Sequence, residues 1–339
     1  MKARLKPLSE QIIVITGGSS GIGLVTARRA AERGARLVLA ARNEEALREI
    51  HDALEGRGAT VQYVVADVGD RDQVRAVAAR AQEAFGGFDT WINDAATAVY
   101  GTIMQTPVED MRRVFETNLW GTVYGSLAAV EHFRTRPGGG KLINVGSVLS
   151  DFSVPEQGIY AASKHAVKGF TNALRMELMR ERAPISVTLI KPSGVASPYK
   201  DHARNYMDEP ARVPAPLYAP EIVADAILYA AQHNIRDLTV GAAGRQMELF
   251  EKLLPTLADR VYAFFGPAMQ KDRRPGQHVE REGNLYEPQE DGEERTDSRF
   301  VRKFSFYTAA QTHPKATAAL ALLAGAAAAG VLTRGRRNA

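Results

Sequence analysis

The strand-like run Ile12–Thr16 leads without a break into Thr16-Gly17-Gly18-Ser19-Ser20-Gly21-Ile22-Gly23. A short stretch rich in isoleucine and valine reads as a strand. The glycines after it permit a tight turn and let the backbone approach a pyrophosphate, which then sits at the N-terminus of the helix opening at Gly21. The spacing Gly-x-x-x-Gly-x-Gly is one residue longer than the common dinucleotide fingerprint, and by itself such a loop is also an ordinary turn. Its position directly between strand and helix favours a nucleotide. No Gly-Lys-Ser/Thr follows, which disfavours a P-loop NTPase.

Working outward, Arg36–Ala41, Thr60–Ala66, Asp89–Asn93, Lys141–Gly146 and Ile185–Lys191 read as further strands. Between them lie the helical patterns Gly21–Arg33, Glu44–Arg57, Arg71–Phe85, Val108–Phe133 and Gly158–Arg182. Regular alternation with near-continuous apolar strands implies an α/β fold: a doubly wound, Rossmann-like parallel sheet with helices on both faces. We expect a catalytic domain over residues 8–250, a C-terminal extension and polar linker over 251–314, and an apolar tail over 315–334. The stretch Gly266–Asp297 is rich in Gly, Pro, Glu, Asp and Arg, a composition that implies an extended or disordered linker.

The chain has 339 residues, 43 basic against 39 acidic, an excess too shallow for a nucleic-acid footprint unless clustered. Arg273-Arg274 reads as a solvated face, whereas Arg334, Arg336 and Arg337 flank the tail. There is no cysteine, which excludes disulfides, thiolate chemistry and a four-cysteine zinc site. Met1–Glu10 lacks the apolar core of a secretory signal, and a cytoplasmic location is expected. Ala316–Thr333 is an uncharged Ala/Leu/Gly run of 18 residues, roughly 27 Å as a helix. It reads either as a membrane-associated segment or as an alanine-rich helix packed on a neighbouring subunit.

The end of the second strand discriminates between cofactors. An acidic residue there would hydrogen-bond the ribose 2′-OH of NAD, whereas an arginine accommodates the 2′-phosphate of NADP. The residues present are Ala40-Ala41-Arg42-Asn43, so NADP(H) is expected over NAD(H), on the strength of Arg42 alone. Asp67, after Val64-Val65-Ala66, stands where a carboxylate can accept from an adenine amino group; it is equally an N-cap candidate, with Asp70 its rival.

Tyr160-Ala161-Ala162-Ser163-Lys164 places a phenol and an ammonium on one helix face. A nearby cation lowers the pKa of a phenol towards the range useful for proton transfer. With 11 tyrosines in the chain, roughly 0.4 such pairs arise by chance, so the pair needs company. Ser147, ending the strand Lys141–Gly146, stands where a hydroxyl can donate to a carbonyl oxygen, with Ser150 a nearby rival. Asn118, within the largely apolar stretch Met111–Tyr124, is either a packing compromise or the holder of a water beside Lys164.

The ordered set Thr16-x-x-x-x-Gly21-x-Gly23, Asn93, Asn118, Ser147, Tyr160-x-x-x-Lys164 and Pro192 resembles the short-chain dehydrogenase/reductase family over about residues 8–250. The resemblance implies an oxidoreductase interconverting a ketone or aldehyde and an alcohol. By the same resemblance Tyr160 is the acid/base, Lys164 holds the nicotinamide ribose and tunes the tyrosine, Ser147 orients the carbonyl and Asn118 supports a water relay. The cofactor-binding positions it implies are Thr16, Gly17, Ser19, Ser20, Gly21, Ile22, Gly23, Arg42, Asp67, Val68, Asn93, Ala95, Tyr160, Lys164, Pro192, Val195 and Ser197, with no metal site. Two departures stand out: the family's Asn-Asn-Ala-Gly is Asn93-Asp94-Ala95-Ala96, and Ser197 replaces a usual threonine. Pro198–Pro220, with Tyr199, His202, Tyr206 and Met207, is the expected substrate lid. The expected partners are a small carbonyl or alcohol and further copies of the chain, with possible membrane association through the tail and no nucleic acid. A catalytically silent nucleotide-binding sensor or scaffold at a membrane is the alternative, and an isomerase or dehydratase on the same fold a weaker third.

Overall fold

The computed structural model describes residues 3–273, 279, 282–289, 291–296, 298, 300–314 and 317–319. Seven parallel strands form the central sheet: β1 (Ile12–Thr16), β2 (Arg36–Ala41), β3 (Val61–Val65), β4 (Thr90–Asn93), β5 (Gly140–Val145), β6 (Ile185–Pro192) and β7 (Asp237–Val240). Their spatial order is 3-2-1-4-5-6-7, which puts the reversal of strand order between β1 and β4. Ligands bind in such sheets outside the carboxyl ends of the strands at that reversal. β1 pairs with β2 and β4 in register, Thr16 lying opposite both Ala40 and Asn93.

Every residue of β1 is buried, because successive side chains point to opposite faces and both faces are covered. Ile13 and Ile15 join α1 (Gly21–Glu32), α2 (Glu44–Glu55) and α7 (Pro220–Gln232) in one apolar layer. Ile12 and Val14 join α3 (Arg71–Phe85), α5 (Gly121–Arg134) and α6 (Gly158–Arg180) in the other. Asn43 caps α2, accepting from the Ala46 amide at 3.0 Å. Asp70 rather than Asp67 caps α3, accepting from the amides of Asp72 and Gln73. That settles the rivalry between these two carboxylates and leaves Asp67 for other work.

The expected single helix Val108–Phe133 divides into α4 (Val108–Phe115), a π-helical turn Glu116–Trp120 and α5. The wider turn carries Asn118, and such insertions recur at functional sites. Two elements that the strand–helix reading does not single out, α7 and β7, complete the sheet's far side. Beyond them α8 (Ala242–Leu253) and α9 (Pro255–Met269) pack beside the carboxyl edge. The described residues of the Gly/Pro-rich stretch form neither helix nor strand from Glu282 to Thr296, as the composition implies, yet they are fastened to the core by hydrogen bonds. Among the described residues no helix is long and apolar enough to cross a membrane. The tail Ala316–Thr333 lies outside the described residues except for Thr317–Ala319.

Asn93 illustrates how tightly the sheet's centre is specified. Its side chain accepts from Trp91 Nε1 at 2.8 Å and donates to Asn144 Oδ1 at 2.9 Å, while a methyl group on Gly125 would stand 2.1 Å from Asn93 Oδ1. Asn93→Ala leaves buried polar partners unpaired, at about 1–3 kcal/mol each. We expect an overall loss of about 2–5 kcal/mol, read as a lower urea midpoint at unchanged slope. A loss below about 1 kcal/mol would show that water replaces the amide.

Candidate active site

At the carboxyl edge a cavity of about 550 Å³ runs from Ala66, Asp67 and Val68, past the glycine loop, to Ser147, Tyr160 and Lys164, and on between Leu149, Met247 and Phe265. Gly17 has φ +74°, and a methyl group there would meet Ala95 Cα at 2.8 Å. A methyl on Gly23 would stand 2.0 Å from the Gly17 carbonyl oxygen. Only glycines let this loop fold so closely against the turn after β4, leaving the helix start facing the cleft.

Most of the residues singled out from the sequence meet here. Gly17, Ser19, Ser20, Gly21, Ile22, Arg42, Asp67, Val68, Ala95, Ser147, Tyr160, Lys164, Pro192, Val195 and Ser197 all line the cavity. Thr16, Gly23, Asn93 and Asn118 do not line it. Thr16 instead joins β1 to the β4 turn, its hydroxyl donating to the Ile92 carbonyl and accepting from the Ala95 amide, both at 3.4 Å. Gly23 acts through its lack of a side chain, and Asn93 belongs to the buried amide network.

Asn118 is fully buried and fully engaged. Its amide nitrogen donates to the Thr97 carbonyl at 3.0 Å and to Ser163 Oγ at 2.9 Å, and its oxygen accepts from the Thr97 amide at 2.8 Å. It therefore pins the chain after β4 to α6, one residue before Lys164. Asp151 makes a second tie. Buried after the Ser147 turn, it pairs with Lys168 of α6 and Lys191 of β6.

Ser147 starts a short helical turn, its Oγ accepting from the Leu149 amide at 3.1 Å. Its own amide donates to Ser150 Oγ at 3.2 Å, so Ser150 supports the turn and is itself fully buried. Ser147, Tyr160 and Tyr199 line the same cavity, and the Tyr160 and Tyr199 rings meet edge to face at 5.3 Å. Lys164 Nζ donates to the Val145 carbonyl at 3.0 Å and lies 5.7 Å from the Tyr160 ring centre.

Burial dominates the electrostatics. It pushes the Tyr160 phenol up to about 12, although the neighbouring Ser147 and Tyr199 hydroxyls pull it down. It pushes the Lys164 ammonium down to about 8, against the attraction of Asp94. Burial also raises the Asp94 carboxyl to about 7, opposed by Lys164 and by the Gly23 amide. Asp94 is a functional candidate that the sequence reading passed over. Its signal was the acid standing where the family has asparagine.

A glycine-lined loop at the strand reversal is thus continuous, within one cavity, with a hydroxyl, a phenol and an ammonium group. The model of the short chain dehydrogenases matches residues 11–208, and the chain belongs to the short-chain dehydrogenase/reductase family. It is 46% identical over 327 residues to the uncharacterized oxidoreductase YxnA of Bacillus subtilis, covering 94% of this chain and 90% of that protein. It is 28% identical over 260 residues to the putative oxidoreductase SadH of Mycobacterium tuberculosis, covering 75% and 94% respectively. Among solved structures, a family member from Burkholderia phymatum in complex with NAD superposes with a TM-score of 0.64 at 26% identity, covering 81% of this chain and all of that one. An alcohol dehydrogenase from Thermococcus sibiricus complexed with 5-hydroxy-NADP shares the fold, with a TM-score of 0.59 at 23% identity over 68% of this chain and 95% of that one.

The Asp94–Lys164 pair makes a pH dependence testable. Ionised Asp94 favours the protonated lysine, whose charge is present below about 8 and lost above it. In Asp94→Asn that support is gone, so the lysine gives up its proton at lower pH. The alkaline limb of kcat/KM for carbonyl reduction is expected to move to lower pH. A limb that stays in place or moves up would show that Asp94 does not act on Lys164.

Proposed function

We propose that the chain catalyses the interconversion of a carbonyl and an alcohol with a nicotinamide dinucleotide, Tyr160 serving as acid and base. The observation that carries this reading is that Ser147, Tyr160 and Lys164 line one cavity continuous with the glycine loop, with Lys164 Nζ 5.7 Å from the Tyr160 ring centre. In the reducing direction the Tyr160 hydroxyl donates its proton to the substrate oxygen while Ser147 holds that oxygen in place. Lys164 supplies the positive charge that favours the phenolate left behind. Asn118 acts from outside the cavity, fixing Ser163, the residue before Lys164, against Thr97 and so supporting the relay of the proton. The bound nicotinamide supplies or accepts the hydride.

In this reading Ser20 and Ile22 would hold its phosphates, the Ser19 hydroxyl and the Gly21 amide being bonded to Asp291 and Glu293, while Ala66, Asp67 and Val68 would take its adenine and Pro192, Val195 and Ser197 the nicotinamide end. The dinucleotide is NAD(H) or NADP(H). Arg42, on which an expectation of NADP(H) rests, is bound to main-chain carbonyls of this chain, and the Burkholderia relative was solved with NAD. Beyond Tyr160 the cavity is walled by Leu149, Phe152, Val154, Met247, Val261 and Phe265, which supports a carbonyl carrying a bulky apolar group. Val213 and Pro214, from the expected lid, close one side. The alternative of a silent sensor gains no support from this site.

Tyr160→Phe is expected to lower kcat by at least about 100-fold on an apolar ketone panel, while binding of the reduced dinucleotide, followed by its fluorescence, persists. Retention of wild-type turnover would remove Tyr160 from the chemistry. Loss of binding together with turnover would assign it to the fold instead.

A further inference from the structure

After α9 the chain returns along the cofactor cleft as a strap, and Asn284, Pro288 and Asp291 of this strap line the cavity. It is anchored at Leu285, which is fully buried against Val99 and Val114, and at Tyr286, whose hydroxyl donates to Asp110 at 2.7 Å.

What the strap grips is the end of β2 and the glycine loop. The Arg42 guanidinium donates to the main-chain carbonyls of Asn284, of Leu285 at 3.4 Å and of Tyr286 at 2.8 Å. Asn43 Nδ2 donates to the Gln289 carbonyl at 3.0 Å. At the loop, Ser19 Oγ donates to the Asp291 carboxylate at 2.7 Å, the Gly292 amide to the Ser19 carbonyl at 3.0 Å, and the Gly21 amide to the Glu293 carbonyl at 2.8 Å. The sign of charge around Arg42 is also set here. Asp67, Asp291 and Glu287 all act on it, with Arg113 the opposing cation, and Arg113 is itself paired with Asp67. Three carboxylates thus face two guanidinium groups.

We propose that this strap selects the cofactor, favouring NAD(H) over NADP(H): Arg42 serves as the latch of the strap, and the Asp291 carboxylate provides the acidic group that the end of β2 lacks. A ribose hydroxyl is neutral and can donate to a carboxylate. A dianionic 2′-phosphate has only acceptors to offer, so it meets like charge at Asp291 and finds three of the five N–H donors of Arg42 already taken. The proposal rests on the reading of this cleft as a dinucleotide site, which the experiment tests separately.

The full chain is titrated with NADH and with NADPH, binding being followed by nicotinamide fluorescence without substrate. NADH is expected to bind at least about tenfold more tightly, on the scale of one like-charge contact in a partly open cleft. Asp291→Asn removes the charge at constant shape and is expected to shift the ratio of the two Kd values about tenfold towards NADPH. Leu285→Ala loosens the anchor that presents the carbonyls to Arg42 and is expected to shift the ratio the same way. Tighter binding of NADPH by the wild-type chain, or a ratio that neither variant changes, overturns the selection while leaving the dinucleotide reading intact. Failure of both nucleotides to bind overturns both.

Discussion

A methyl group on Gly17 would meet the main chain of Ala95 at 2.8 Å, and one on Gly23 would stand 2.0 Å from the Gly17 carbonyl oxygen. This close approach of the loop after β1 to the turn after β4 brings the start of α1 up to the cleft, and it occurs where the strand order reverses. The same turn carries Asp94, whose carboxylate would stand 2.9 Å from a methyl on Gly23 and whose charge acts on Lys164. The contact therefore couples the phosphate-binding end of the cleft to the group proposed for proton transfer.

Burial sets the chemistry around that contact. A lysine, an aspartate and two tyrosines share a desolvated volume, and each is pushed towards its neutral form. The sequence argument that a cation lowers the pKa of the Tyr160 phenol describes one influence. In the folded chain desolvation and the charge of Asp94 push the phenol up, and the Ser147 and Tyr199 hydroxyls supply the pull in the other direction. What positions these groups lies outside the cavity: the amide of Asn118, the carboxylate of Asp151 and the π-helical turn that lets Asn118 reach Thr97 and Ser163.

Much of this was legible beforehand, for identifiable reasons. Short runs dominated by isoleucine, leucine and valine between turn residues mark strands, so β1 to β6 could be read to within a residue or so. The helical spacing of Tyr160 and Lys164 and the strand-end position of Ser147 follow from local geometry alone. Less legible were residues whose side chains turn away from the cleft. Asn93 and Asn118 share the motif with Tyr160, yet both spend their hydrogen bonds inside the protein. Position along a motif does not reveal which way a side chain faces.

The sequence by itself determined the doubly wound sheet, the glycine loop and the set of polar groups at the carboxyl edge, because each depends on periodicity or spacing within one or two elements. Only the tertiary structure decided where the residues after α9 go. Their composition carries no periodicity and reads as a linker, and they are held largely through main-chain carbonyls, which leave no mark in the identity of the residues. Arg42 shows the consequence. Read along the chain it is a cation waiting for a phosphate, whereas in the folded protein three of its five donors are taken up by carbonyls more than two hundred residues away.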